Sequence, residues 1–260
     1  MSSAPIGIFD SGIGGLTIYH ELVKMLPKEQ FIYLADSNHA PYGERPPEDI
    51  ERFSFVNSQF LIDKGCKLIV VACNTATTIA VKKLRQSFQV PFIGIEPAIK
   101  PAALQSSRKK VGVLATRGTL NSTLFQETYQ RFGQDVETTI QVGKGLVELI
   151  EAGKKNSVEM TALLQKHLQP MIDNEVDYIV LGCTHYPFLK DQIQELTPKD
   201  VEIIDSGEAV ARQTKSILKS HNLLNHSEKE KDQFYINGNP TVMNSILKEV
   251  LNIDAEVTPL

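Results

Sequence analysis

The chain has 260 residues, enough for one or two domains with a sizeable core, and is 42% hydrophobic and 22% charged with no Trp. A formal net charge of −4 offers no basic surface to nucleic acid or to an anionic membrane. Three cysteines are too few, and odd in number, for a disulfide framework; no apolar run approaches a membrane span and no signal-peptide pattern opens the chain, so a reducing cytoplasm is the expected home.

Strands are predicted at Ile6–Phe9, Phe31–Leu34, Leu68–Ala72 and Pro91–Ile95. A second set follows at Val111–Leu114, Val136–Val142, Tyr178–Leu181 and Val201–Ile204, and a late strand at Phe234–Ile236. Segments of helix length lie between them, such as Thr77–Phe88 and Met160–Ile172, and Thr241–Leu251 carries a late helical pattern. The charged stretch Asn225–Asp232 is expected to be a solvated loop. Continuous apolar strands alternating with helices predict parallel sheets covered on both faces.

The two sets of strands map onto each other in order. Ile6-Gly7-Ile8 and Val111-Gly112-Val113 lie 105 residues apart; Cys73 and Cys183, each directly after an apolar strand, lie 110 apart, as do Ile93 and Ile203. The expected fold is therefore α/β with two similar domains related by pseudo-two-fold symmetry. Each is a mostly parallel sheet flanked by helices, and the active site lies between them. The expected division is residues 1–97 plus 208–260 for the domain carrying Cys73, and 98–207 for the domain carrying Cys183. The tail is assigned to the first domain because a lone strand and helix cannot bury their own apolar faces.

Ligands of open α/β sheets bind beyond the carboxyl ends of the strands, so the polar residues there are the candidates. Asp10-Ser11-Gly12-Ile13-Gly14-Gly15 follows the first strand. Its small residues would let backbone N–H groups approach an anion. Thr17 stands where a dinucleotide fingerprint needs its third glycine, and no P-loop Lys-Ser/Thr follows. Asp10 could hold an amino group and Ser11 a carboxylate; the bland alternative is a tight strand–helix turn. After the second strand, Pro41-Tyr42-Gly43 reads first as turn chemistry. Tyr42 could also offer its hydroxyl, and Gly43 its N–H, to a ligand carboxylate.

Cysteine is usually buried and inert, and Cys66 reads that way. Cys73 differs: it lies where a strand ends and a helix, expected from Thr77, begins. A helix N-terminus favours a thiolate, and Asn74 and Thr75 put donors and acceptors beside it. In Gly182-Cys183-Thr184-His185 the histidine is a candidate partner for the thiol. No metal-ligand spacing appears. Glu148 and Glu151 lie three apart on a helical stretch, and for them a solvated face is the plainer reading. Thiols placed alike in two similar halves suggest one reactive sulfur on each wall of a single site. That arrangement takes a proton from one face of a carbon and returns one to the other.

Asp10-Ser11-Gly12-x-Gly14-Gly15, Pro41-Tyr42-Gly43, Cys73-Asn74-Thr75-Ala76-Thr77 and Gly182-Cys183-Thr184-His185-Tyr186-Pro187 together resemble the glutamate racemases over nearly the whole chain. Gly94-Ile95-Glu96-Pro97 and Ile204-Asp205-Ser206-Gly207 extend the likeness. Aspartate racemases tend to carry histidine and glutamate where this chain has Thr77 and His185. The resemblance implies L/D-glutamate interconversion without pyridoxal phosphate, metal or other cofactor, supplying D-glutamate for peptidoglycan, and a possible homodimer. It implies that Cys73 deprotonates D-glutamate and Cys183 acts on L-glutamate. It places Asp10, Ser11, Tyr42, Gly43, Asn74, Thr75, Thr184 and His185 around the substrate. Asp10 and His185 would assist the thiols, and Glu151 falls at an acidic position of the family. Glu148 stands where the family has proline. Only nine residues precede Asp10, so activation through an N-terminal extension is not expected.

The rival readings are a racemase for another amino acid, a one-cysteine decarboxylase relative, a closing binding protein for a small anion, and a zinc hydrolase. Two cysteines argue against the decarboxylase, and a binding protein needs the glycine turn but no thiols.

Overall fold

The computed structural model describes residues 3–260. Among the described residues ten strands occur in chain order: β1 (Ile6–Asp10), β2 (Phe31–Ala35), β3 (Leu68–Val71), β4 (Phe92–Gly94), β5 (Lys110–Ala115), β6 (Glu137–Val142), β7 (Tyr178–Gly182), β8 (Glu202–Ile204), β9 (Gln233–Ile236) and β10 (Val257–Pro259). They form a six-stranded sheet, ordered β10-β9-β2-β1-β3-β4, and a four-stranded sheet, ordered β6-β5-β7-β8. Every pairing is parallel. The order β2-β1-β3-β4 thus recurs as β6-β5-β7-β8. The register recurs too: Ile6 faces Phe31 and Leu68, and Val111 faces Thr138 and Tyr178.

All residues of β1, β2 and β3 are buried, because helices cover both faces of the first sheet. Ile8, Val70, Leu114 and Leu181, drawn from both sheets, share one apolar core. The helix Leu16–Met25 packs along the helix Gly207–Ser220, joining the end of the second sheet to the start of the first. No helix of the described residues is long and apolar enough to cross a membrane.

Two local expectations need correction. The helix expected from Thr77 starts three residues earlier, at Asn74, with Cys73 as its N-cap. The Cys73 sulfur accepts the Ala76 N–H at 3.4 Å, a capping bond that propensity does not anticipate in cysteine. The stretch Asn225–Asp232 is not simply a solvated loop. Its first N–H donates to Glu29, itself paired with buried Lys67 at 2.6 Å. Its last carboxylate accepts the Tyr19 hydroxyl and the Phe31 N–H.

Asp177, just before β7, pins the loop that leads into β5. Its carboxylate accepts the hydroxyl and N–H of Ser107, the Arg108 N–H, and the hydroxyl of buried Ser106 at 2.6 Å. Asp177→Ala is expected to lower the stability of the fold by about 2–4 kcal/mol, read from the urea midpoint at constant m.

Candidate active site

The carboxyl ends of the two sheets converge on one small cavity. Cys73 follows β3 and Cys183 follows β7, and both line it. Ser11, Tyr42, Gly43, Asn74, Thr75, Thr184 and His185 line it as well. About 10 Å3 is open to the centre of a water molecule, room for roughly one.

Burial dominates the Cys73 wall. It pushes the thiol far above its ordinary range, and the nearby Asp10 carboxylate adds to the rise. The Ala76 N–H and the Ser11 hydroxyl, 3.6 Å from the sulfur, oppose this without overcoming it. The expectation of a thiol lowered by its helix terminus is therefore reversed: Cys73 is held as the neutral thiol. Cys66, in a structural position, is also pushed up, to about 12, by burial.

The Cys183 wall is polar. The Cys183 sulfur lies 3.8 Å from His185 Nδ1, and His185 Nε2 lies 2.5 Å from Glu151 Oε1. Burial alone would lower the imidazole, but its bonds to Cys183 and Glu151 hold it well above its ordinary value. The ring thus sits between a carboxylate and a sulfur, both of which favour its protonated form. Glu151 does not lie on a solvated face: its side chain is 16% exposed and reaches into the other half of the molecule. There Glu151 Oε1 accepts the Ile13 N–H at 2.7 Å.

The glycine-rich turn therefore does bind an anion, and the anion is the protein's own. A β-carbon on Gly12 would overlap the Glu151 carboxylate, and one on Gly14 would overlap the His185 ring. Asp10 lies behind this turn, fully buried and outside the cavity lining. It accepts the Gly15 N–H at 2.7 Å and the Thr184 hydroxyl at 3.4 Å. Burial raises its carboxyl from 3.8 to about 6, against the lowering effects of His185 and the Gly15 N–H.

Tyr42 lines the cavity, and its hydroxyl donates to buried Asp36 and accepts from Asn57. Asn74 is the reverse case: its buried Oδ1 has no hydrogen-bond partner. An unpaired buried acceptor at a cavity marks a place for a ligand donor. Thr75, from the first half, meets Thr116 and Thr119 of the second at 3.0 and 3.3 Å. Sequence reasoning missed Thr116, Thr119 and Val147 as lining residues. Thr116 was within reach, because it follows β5 as Ser11 follows β1, at the same 105-residue offset.

A family model described as Asp/Glu/Hydantoin racemase matches residues 6–214. The chain belongs to this racemase family. It is 46% identical to the glutamate racemase of Stutzerimonas stutzeri over 94% of this chain and 93% of that one. It is 42% identical to the glutamate racemase of Clostridium perfringens strain ATCC 13124 over 99% and 97%. Among solved structures, a glutamate racemase of Francisella tularensis in complex with D-glutamate superposes with a TM-score of 0.85 at 30% identity, covering 100% of this chain and 98% of that one. The racemase fold thus extends over the whole described chain.

Two outcomes follow for this racemase. Gly14→Ala should push the buried His185 ring off the Cys183 sulfur and lower turnover by about 100-fold in a coupled assay, with the chain still folded. The second concerns Asp10. A carboxyl held at about 6 in the folded chain binds its proton more tightly there than in the unfolded chain. Its favourable contribution is full below about pH 4 and is lost as pH rises through 6. Asp10→Asn removes that loss. Between pH 4 and pH 8 the stability of the variant relative to the parent should rise by up to about 3 kcal/mol in denaturant titrations.

Proposed function

We propose that this protein interconverts L- and D-glutamate by two-base proton transfer at Cα, using Cys73 and Cys183 and no cofactor, and so supplies D-glutamate for peptidoglycan. The observation that carries the reading is the pair of buried thiols at equivalent strand ends, lining one cavity. The glutamate racemases it resembles, one of them solved with D-glutamate, supply the substrate.

The chemistry asks for one thiolate and one thiol at the start of each turnover. We assign the substrate-free state accordingly: burial favours the protonated Cys73, and the His185 ring, 3.8 Å from the Cys183 sulfur, is placed to offset the charge of a thiolate there. This state suits L-glutamate: Cys183 removes the α-proton, Cys73 delivers its own to the opposite face, and D-glutamate forms. The two thiols finish with exchanged protonation, ready for the reverse reaction. The α-proton is a poor acid, so the Ser11 and Thr75 hydroxyls would be asked to stabilise charge developing on the α-carboxylate. Asn74 Oδ1 suits the ammonium group. A cavity with room for about one water must open to admit glutamate, and closing it again excludes solvent from the carbanion-like transition state.

The anion-binding-protein alternative loses its main support here, because the glycine turn is occupied by Glu151. Proton NMR in D2O should show the α-proton of L-glutamate washing out as D-glutamate forms. Cys73→Ser and Cys183→Ser should each lower racemisation by roughly 100- to 10,000-fold. Enantiomers have equal free energy, so kcat/KM must fall by the same factor in both directions. An unaltered protein that leaves the α-proton in place would overturn the reading.

A further inference from the structure

Ser37 lies outside the cavity, in the short turn after β2. Its hydroxyl donates to Glu151 Oε2 at 3.0 Å. The other oxygen of Glu151 carries the Ile13 N–H and the His185 ring, and His185 Nδ1 faces the Cys183 sulfur. Ser37, Glu151, His185 and Cys183 therefore form one continuous chain of contacts. Its first member belongs to the first sheet's half of the molecule and the other three to the second.

We infer that Ser37 is a positioning residue for the Cys183 wall: it holds the Glu151 carboxylate in the one orientation that keeps His185 aimed at the sulfur. The inference rests on the two-thiol reading above. A carboxylate near the surface has many rotamers, and Glu151 is 16% exposed. With only Oε1 held, its plane is free to turn and its other oxygen to seek water. Fixing Oε2 removes that freedom, as a hydrogen-bonded carboxylate does for a catalytic imidazole in other sites.

The Ser37 hydroxyl is not required to hold its own turn. The Asn38 N–H is bound by Asn237, and Asp36 takes bonds from His39, Tyr42, Asn57 and Asn237. The arrangement is also one-sided. Among the described residues the Cys73 sulfur hydrogen-bonds with the Ser11 hydroxyl and the Ala76 N–H, and no imidazole or glutamate bonds to it.

The test is Ser37→Ala, assayed with glutamate deuterated at Cα. The expected loss in kcat/KM is about tenfold, equal in both directions. The isotope effects should divide. Proton removal from L-glutamate by Cys183 becomes more rate-limiting, so the effect on kcat/KM rises for the L enantiomer and falls for the D enantiomer. Ser37→Thr, which keeps the donor, should retain the parental pair of values. The inference is overturned by parental kinetics in Ser37→Ala, by isotope effects that move together or divide with the opposite sign, or by a Thr variant that behaves as the Ala variant. Failure of the unaltered protein to racemise glutamate would instead count against the proposed reaction itself.

Discussion

A carboxylate and an imidazole from one half of the molecule lie against a turn in the other, at two positions that lack β-carbons. Glu151 occupies the space beside Gly12, His185 the space beside Gly14, and the Ile13 N–H between them binds the carboxylate. With the Thr17–Thr184 and Thr75–Thr116 contacts, this contact holds the halves together and so bears on the separation of the two cavity walls. Burial alone would lower the His185 imidazole; its bonds to the Cys183 sulfur and to Glu151 favour the positively charged ring. Asp10, packed behind the same turn, feels that positive charge and still carries a carboxyl raised by burial. Three ionisable groups are therefore tied to one backbone turn, and a small shift of it changes all of them.

The duplicated scaffold and the unequal chemistry it carries follow from different parts of the chain. Strand order and register repeat between the sheets, which puts a cysteine beyond equivalent strands. The residues around each sulfur do not repeat. Position for position, Thr75 in the first half answers to His185 in the second. Repetition puts a sulfur on each wall of one cavity, and the departure from it gives the two sulfurs different neighbours. The proposed reaction needs that inequality, because two thiols in the same protonation state would lack either a base or an acid.

Runs such as Leu68–Val71 and Ile179–Leu181 carry an unmistakable pattern, because strands buried on both faces have no polar alternation to confuse them. The two cysteines of the cavity were legible for a related reason: a thiol directly after such a strand has a defined place. What stayed hidden is what depends on contacts between distant segments. Glu151 ends a helix of only six residues, too short for periodicity to say which face is covered. The hydroxyl of Tyr42 looked available to a ligand, but Asp36 has it. The glycine turn was read as a place for a ligand's anion, because no local pattern shows that residue 151 fills it. Strand β10 has three residues, among acidic neighbours, and leaves no signature.

The six-stranded sheet gathers strands from both ends of the chain, and this bears on how the protein is born. Strand β2 is apolar and buried, and its outer edge pairs with β9, some two hundred residues later. A ribosome adds residues one at a time, so the nascent first half exposes an apolar, unpaired strand edge for most of synthesis. At translation rates of about 5–20 residues per second, that interval is on the order of ten seconds or more. Such an edge is a template for mispairing with neighbouring chains. Strands β9 and β10, made late, thus cover an edge made early, and a chain cut short upstream of β9 would leave that edge of β2 unpaired.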